Sequence, residues 1–170
     1  MSTGAPGIRV RGSLRSSTCE GLTLDVQPDF RDLLALFNAR KVEYVVVGAY
    51  ALAFHGVPRF TGDMDILVRP GARNARRIIA ALAEFGFASL GIAAEDFKKS
   101  GRVVQLGVAP VRIDLVTSLT GVSWKEVAAG CKPGKYGDLR VRYLGKKEFI
   151  KNKRAIGRSK DLADIEALGG

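Results

Sequence analysis

Histidine, tryptophan and cysteine are nearly missing from these 170 residues: there is one His, one Trp and two Cys. Cys19 and Cys131 stand far apart, outside any Cys-x-x-Cys or Cys/His cluster, which argues against a disulfide scaffold and against structural zinc. One histidine, His55, gives no Ser/His/Asp or Cys/His arrangement for nucleophilic hydrolysis. It falls on a short helix and reads as structural, with substrate contact as the competing role. Long apolar runs are absent as well. None approaches the ~20 residues of a membrane span, and the start of the chain lacks the uninterrupted apolar segment of a signal peptide. The expectation is a cytoplasmic protein with no membrane partner. Acids are also scarce, 17 Asp and Glu against 27 Lys and Arg, a formal net charge of +10. That excess favours polyanionic partners such as nucleoside triphosphates or RNA, with a solvated basic surface as the plainer explanation.

What is present suits one domain. Hydrophobic residues make up 46% of the chain, enough for a buried core at this length. Residues 1–25, rich in Gly, Ser, Thr and Arg, are expected to form a disordered leader ahead of a domain at 26–170. From Asp29, a plausible N-cap, the spacing of Phe30, Leu33, Leu34 and Phe37 predicts an amphipathic helix. Residues 42–47 (VEYVVV) predict a buried strand that Gly48 closes, followed by a short helix ended by Gly56 and Pro58. Residues 64–68 predict a second strand. Pro70 then opens a helix with Ala75, Ile78, Ile79, Leu82 and Phe85 on its apolar side, and Gly86 stops it. Residues 102–108 and 111–117 read as antiparallel strands joined by a tight turn at Ala109-Pro110. Residues 139–144 are a further strand. Two helices close the chain, at about 146–156 and 160–168, the second capped by Ser159 with Leu162, Ile165 and Leu168 turned inward. The fold class expected is mixed α/β, a short mixed sheet flanked by helices, with the terminal basic helices folded over one edge.

The segment VVVGAYALAFHGVPRFTGDMDILV (residues 45–68) is the most informative. On an extended strand Asp63 and Asp65 project to the same side while Met64, Ile66 and Val68 face a core. Two carboxylates held roughly 5 to 7 Å apart repel by about 2 to 3 kcal/mol at an effective dielectric near 20, so a compensating cation is expected, most simply a divalent metal. Gly48 ends the preceding strand, and a glycine entering a helix lets backbone amides approach phosphate oxygens.

Asp114 lies inside the apolar strand VRIDLVT. Either it pairs with Arg112 on its own face, or it is a third carboxylate beside Asp63 and Asp65. Residues 146–160 hold seven Lys and Arg against one Glu. They form either a solvated helix face or a phosphate-neutralising one, for which Lys153 and Arg158 are best placed. Asp161 and Asp164 follow at i, i+3. Their plainer role is to complement the helix dipole or to pair with Lys160 and Arg158. Tyr50 could stack on a base or pack against the strand.

Together, Gly48-Ala49, Asp63-Met64-Asp65 and Asp114 resemble the polymerase-beta-like nucleotidyltransferase superfamily. The segments 45–68, RIDLVTSLTGVSW and NKRAIGRSKDLADIEAL are similar to small bacterial and archaeal proteins of that superfamily related to abortive-infection toxin enzymes. Ala49 stands where the superfamily usually has a second Gly or Ser. The resemblance implies a nucleotidyltransferase fold and Mg²⁺- or Mn²⁺-dependent transfer of a nucleoside monophosphate from a nucleoside triphosphate. It implies metal and catalytic roles for Asp63, Asp65 and Asp114. Nucleotide binding would involve Gly48, Ala49, Tyr50, Thr61, Lys153, Arg158 and Asp161. The acceptor it implies is a hydroxyl of RNA, such as a tRNA end, or of a protein, with a cognate toxin or antitoxin as partner. A small-molecule acceptor of the aminoglycoside type, or a nucleotide-binding module without activity, are the other readings.

Overall fold

The computed structural model describes residues 26–108 and 110–170; the expected leader, Cys19 and Ala109 of the expected turn lie outside the described residues. Six strands form one mixed sheet in the order β3-β4-β2-β1-β6-β5. These are β1 (Tyr44–Val47), β2 (Asp63–Val68), β3 (Val103–Val108), β4 (Val111–Val116), β5 (Lys132–Tyr136) and β6 (Leu139–Tyr143). β1 runs antiparallel to β2 and parallel to β6, and β2 runs parallel to β4. The outer pairs β3/β4 and β5/β6 are antiparallel.

Alternation divides the sheet into two unlike faces. Tyr44, Val46, Met64, Ile66, Val68, Ile113 and Leu115 turn to one side and are buried. Helix α1 (Pro28–Ala39) covers that side with Phe30, Leu33, Leu34 and Phe37, each worth about 1.5–3 kcal/mol of buried apolar surface. The Phe37 ring meets Tyr44 edge-on at 5.5 Å. Helix α3 (Ala72–Leu82) packs beside α1, burying Ala75, Ile78 and Leu82. The other face carries Val45, Val47, Asp63, Asp65, Leu67, Arg112 and Asp114. This is the face with the chemistry.

Several local expectations change. Gln27, not Asp29, is the N-cap of α1, because Pro28 takes the first helical position and Asp29 the second. α3 begins at Ala72, after Pro70, and its last turn widens into a π-turn at Ala83–Phe87 where Gly86 adopts φ 109°. A four-residue 3₁₀ turn, Ala94–Phe97, buries Phe97. β5 (KPGKY) has too much Pro and Gly to read as a strand, and it forms as an edge strand paired to β6. Helix α4 (Trp124–Gly130) starts at a capping box: Ser123 Oγ accepts from Glu126 N–H at 3.2 Å and Ser123 N–H donates to Glu126 at 2.8 Å.

Helix α5 (Lys146–Ile156) ends at Gly157 in the left-handed conformation, and α6 is Ser159–Ala167. Ser159 is the first residue of α6, not its cap; Arg158 holds the cap position and its N–H donates to Asp161 at 3.3 Å. Leu162 is 53% exposed. The buried stripe of α6 is Asp161, Asp164, Ile165 and Leu168, rotated from the expected one because both acids find cations inside. Among the described residues no helix is long and apolar enough to cross a membrane.

Asn74, buried on α3, ties the strand ends together. Its Oδ1 accepts from Glu43 N–H at 2.8 Å, and its Nδ2 donates to the carbonyls of Glu43 and Arg69 at 3.0 and 2.9 Å. Asn74→Ala leaves those groups without partners, so chemical unfolding should show a loss of about 2–3 kcal/mol. A change under about 0.5 kcal/mol would show the clamp to be idle.

Candidate active site

The register of β2 on β4 builds the site. Asp63 is level with Arg112 and Asp65 with Asp114, while Val47 is level with Asp65 across β1. The same-face expectation for Asp63 and Asp65 holds, and Asp114 stands next to Asp65 on the neighbouring strand. Arg112 reaches between two of these acids. Its Nη2 donates to Asp63 Oδ2 at 3.0 Å and to Asp114 Oδ2 at 3.1 Å, and its Nε lies 3.0 Å from Asp114 Oδ1 in an ion pair without hydrogen-bond alignment. Both alternatives for Asp114 are therefore realised at once. It pairs with Arg112 and it belongs to the acid group. The Asp65 carboxylate receives no hydrogen bond from any described residue.

These surroundings shift proton affinities. Burial, then the charges of Asp114 and Asp63, push the Asp65 carboxyl up to about 6, although Lys153 and Arg112 pull the other way. Burial raises Asp114 as well, opposed by Arg112. The group remains short of positive charge despite its arginine.

Gly48 sits against Asp65. Its φ is +65°, and a Cβ added there would lie 2.2 Å from Asp65 Oδ2. The glycine is thus required by the approach of the carboxylate as well as by the turn from β1 into α2 (Gly48–Phe54). Ala49 follows it and is buried. Thr61 secures the entry to β2: its Oγ1 accepts from Asp63 N–H at 3.2 Å and donates to Asp63 C=O at 3.1 Å. Tyr50 is not presented to this group. It lies in the core, its ring edge-on to Phe30 and Tyr136 at 6.0 and 5.7 Å. His55 has a structural bond, with Nε2 2.7 Å from the Leu144 carbonyl.

A second ionic group stands over the same face. Lys153, buried on α5, lies 3.1 Å from Asp161 Oδ1 and 3.7 Å from Asp164 Oδ2. Arg59, from the loop before β2, donates to Asp164 Oδ1 at 2.8 Å, and Arg158 Nε donates to Asp161 Oδ2 at 2.7 Å. The hydrogen bond from Arg158, aided by Lys153, holds the Asp161 carboxyl down at about 2. Lys153 and Asp161 are brought together as partners, and Asp164 pairs with Lys153 and Arg59 rather than with Lys160. Arg59 was invisible to sequence reasoning, since one arginine in a Pro- and Gly-bounded loop has no periodicity to mark it.

Asp63, Asp65 and Asp114 could hold a divalent cation by donor chemistry. They are hard oxygen donors, Asp65 forms no ion pair with a described residue, and Asp114 Oδ1 is buried without a hydrogen-bond partner. As arranged, no three carboxylate, imidazole or thiol groups among the described residues form a ready metal cage. Arg112 stands between Asp63 and Asp114.

No protein-family model matches the chain, and no curated protein matches it. Solved structures share its fold. One is the lincosamide antibiotic adenylyltransferase LnuA with lincomycin bound, at 13% identity and TM-score 0.50, covering 83% of this chain and 94% of that one. Another is the antibiotic-resistance factor ANT(2'')-Ia. Its solution structure matches at 14% identity and TM-score 0.50 over 82% of this chain and 80% of that one. Its crystal structure with adenylyl-2''-tobramycin matches at 15% identity and TM-score 0.50, over 82% and 84%. The six-stranded mixed sheet with flanking helices is the nucleotidyltransferase fold, as the sequence resemblance implied.

Gly48→Ala should cost roughly 2–4 kcal/mol in chemical unfolding, from the positive φ and the collision with Asp65. In an Asp65→Ala background the cost should shrink by about 1 kcal/mol or more. Equal costs in both backgrounds would show that glycine and carboxylate do not touch.

Proposed function

We propose that the chain transfers a nucleoside monophosphate from a nucleoside triphosphate to an acceptor hydroxyl. The observation behind this reading is the placement of Asp63, Asp65 and Asp114 on one face of the paired strands β2 and β4, with Gly48 against Asp65, on a nucleotidyltransferase fold. With Arg112 swung away from Asp63 and Asp114, these carboxylates would hold a Mg²⁺ or Mn²⁺ ion, which would supply charge neutralisation for the triphosphate and for the charge developing at phosphorus. Asp114, beside Asp65 on the neighbouring strand, would be the carboxylate to receive the acceptor hydroxyl proton. Gly48 and Ala49, at the start of α2, would offer backbone amides to phosphate oxygens. Lys153 supplies fixed positive charge near Asp65, oriented by Asp161 and Asp164. Arg158, whose Nε is held by Asp161 while its side chain stays half-exposed, would reach the leaving phosphates.

A small-molecule acceptor is supported by two fold neighbours, one with lincomycin bound and one with adenylyl-2''-tobramycin. A second reading, an RNA or protein hydroxyl, has its own support in the net charge of +10 and in cations that no carboxylate neutralises. A cognate toxin or antitoxin partner belongs to that second reading.

Asp63→Asn and Asp65→Asn should each lower divalent-metal-dependent transfer of radiolabelled nucleotide by on the order of 10² to 10³ with the fold intact by circular dichroism. Offering lincosamides, aminoglycosides, total RNA and cell proteins as acceptors with each triphosphate identifies the labelled product. Full turnover in both variants would reject the assignment.

A further inference from the structure

The face that carries the acids continues, toward β6 and β5, into a basic groove. Arg140 is level with Lys135, Arg142 with Pro133, and Tyr143 with Val46. Since level partners share a face and side chains alternate, Lys135, Arg140 and Arg142 project from the side of Val45, Val47 and Asp65. Helix α4 lies alongside, with Trp124 and Lys125 lining a groove of about 1250 Å³. Lys41 and Arg69 complete its basic lining.

Charge sets this groove apart. Six cations line it against one carboxylate, Glu43, which Arg69 already engages at 2.8 Å. Among the described residues, no carboxylate lies within ion-pair distance of Lys41, Lys125, Lys135, Arg140 or Arg142. Lys135 and Arg140 are set directly opposite on the ladder, an arrangement of like charges that costs stability. Trp124, the chain's one tryptophan, is half-buried and faces the same groove.

We infer that this groove docks single-stranded RNA, with backbone phosphates on Lys135, Arg140 and Arg142 and a base stacked on Trp124. Unpaired cations in a row with an aromatic side chain match a single strand, whose bases expose their faces, better than a duplex. RNA is chosen over DNA because every ribose carries a hydroxyl, the group that the acids on the same face would need as acceptor. Only that choice rests on the transfer reading.

The test is fluorescence anisotropy of the full chain with a labelled single-stranded RNA of mixed sequence, across a range of salt concentrations. Lys135→Ala/Arg140→Ala/Arg142→Ala, all at exposed positions, should weaken binding about tenfold or more and flatten the log–log salt slope by about 2. Trp124→Ala should weaken it several-fold with the slope unchanged. Arg76→Ala/Lys99→Ala/Arg102→Ala removes equal charge at exposed positions outside the groove and should leave affinity within about twofold. An equal loss in that control would overturn the groove, because binding would then follow net charge. Equal affinity for the matching DNA strand, or preference for duplex RNA, would overturn the choice of ligand. Asp65→Asn should bind RNA as the parent chain does. Lost RNA binding there would overturn the groove as a separate surface, whereas lost transfer with RNA binding kept concerns the acids alone.

Discussion

Three carboxylates on one face of a sheet repel one another, and the site is organised around containing that repulsion. β2 sets Asp63 and Asp65 on the same side by alternation, and the parallel register of β4 adds Asp114 beside Asp65. Arg112 offsets part of the charge by bridging Asp63 and Asp114. Asp65 is left with burial, two like charges and the bare Cα of Gly48, and it holds its proton to an unusually high pH in consequence. The opposite face is fully apolar and packed by α1 and α3, which lets one sheet carry such a group without losing its core.

The terminal helices depend on the same electrostatics. Two acids sit inside the apolar stripe of α6, where they are tolerable only because Lys153, Arg158 and Arg59 reach them. A buried ion pair of this kind gives little net stability while intact, yet losing one partner costs about 3–5 kcal/mol. It also fixes geometry. Arg59 belongs to the loop that leads into Asp63, and Lys153 acts on Asp65, so the clamp on α6 and the acid group share one framework.

Much of this was legible in advance because it is local. The stripe of Phe30, Leu33, Leu34 and Phe37, the β-branched run before Gly48 and the same-face placement of Asp63 and Asp65 follow from periods of 3.6 and 2. The adjacency of Asp114 to Asp65 depends on which strands pair and in what register, which no local pattern records. Arg112 offered two exclusive readings of Asp114, and only the three-strand geometry shows that both apply. β5 was unreadable because Pro133 and Gly134 contradict strand propensity, and it exists through edge pairing alone. α4 had a signal in Ser123 and Glu126 at capping-box spacing, but the helix is only seven residues long. Leu162 was misplaced because the inward stripe was assumed apolar, whereas Asp161 and Asp164 occupy it. The nucleotidyltransferase fold was read from three motifs in order and is shared with LnuA and ANT(2'')-Ia.

The most direct measurement of this account is the titration of Asp65 in the free protein, followed by carboxyl-carbon NMR. The folded chain should keep the Asp65 proton until about pH 6, whereas the unfolded chain releases it near 3.8. Folding stability should accordingly fall as pH rises between those values, since the unfolded state binds fewer protons there. The account predicts a midpoint near 6 that moves down in Asp114→Asn. A midpoint near 4, unmoved by that substitution, would contradict it.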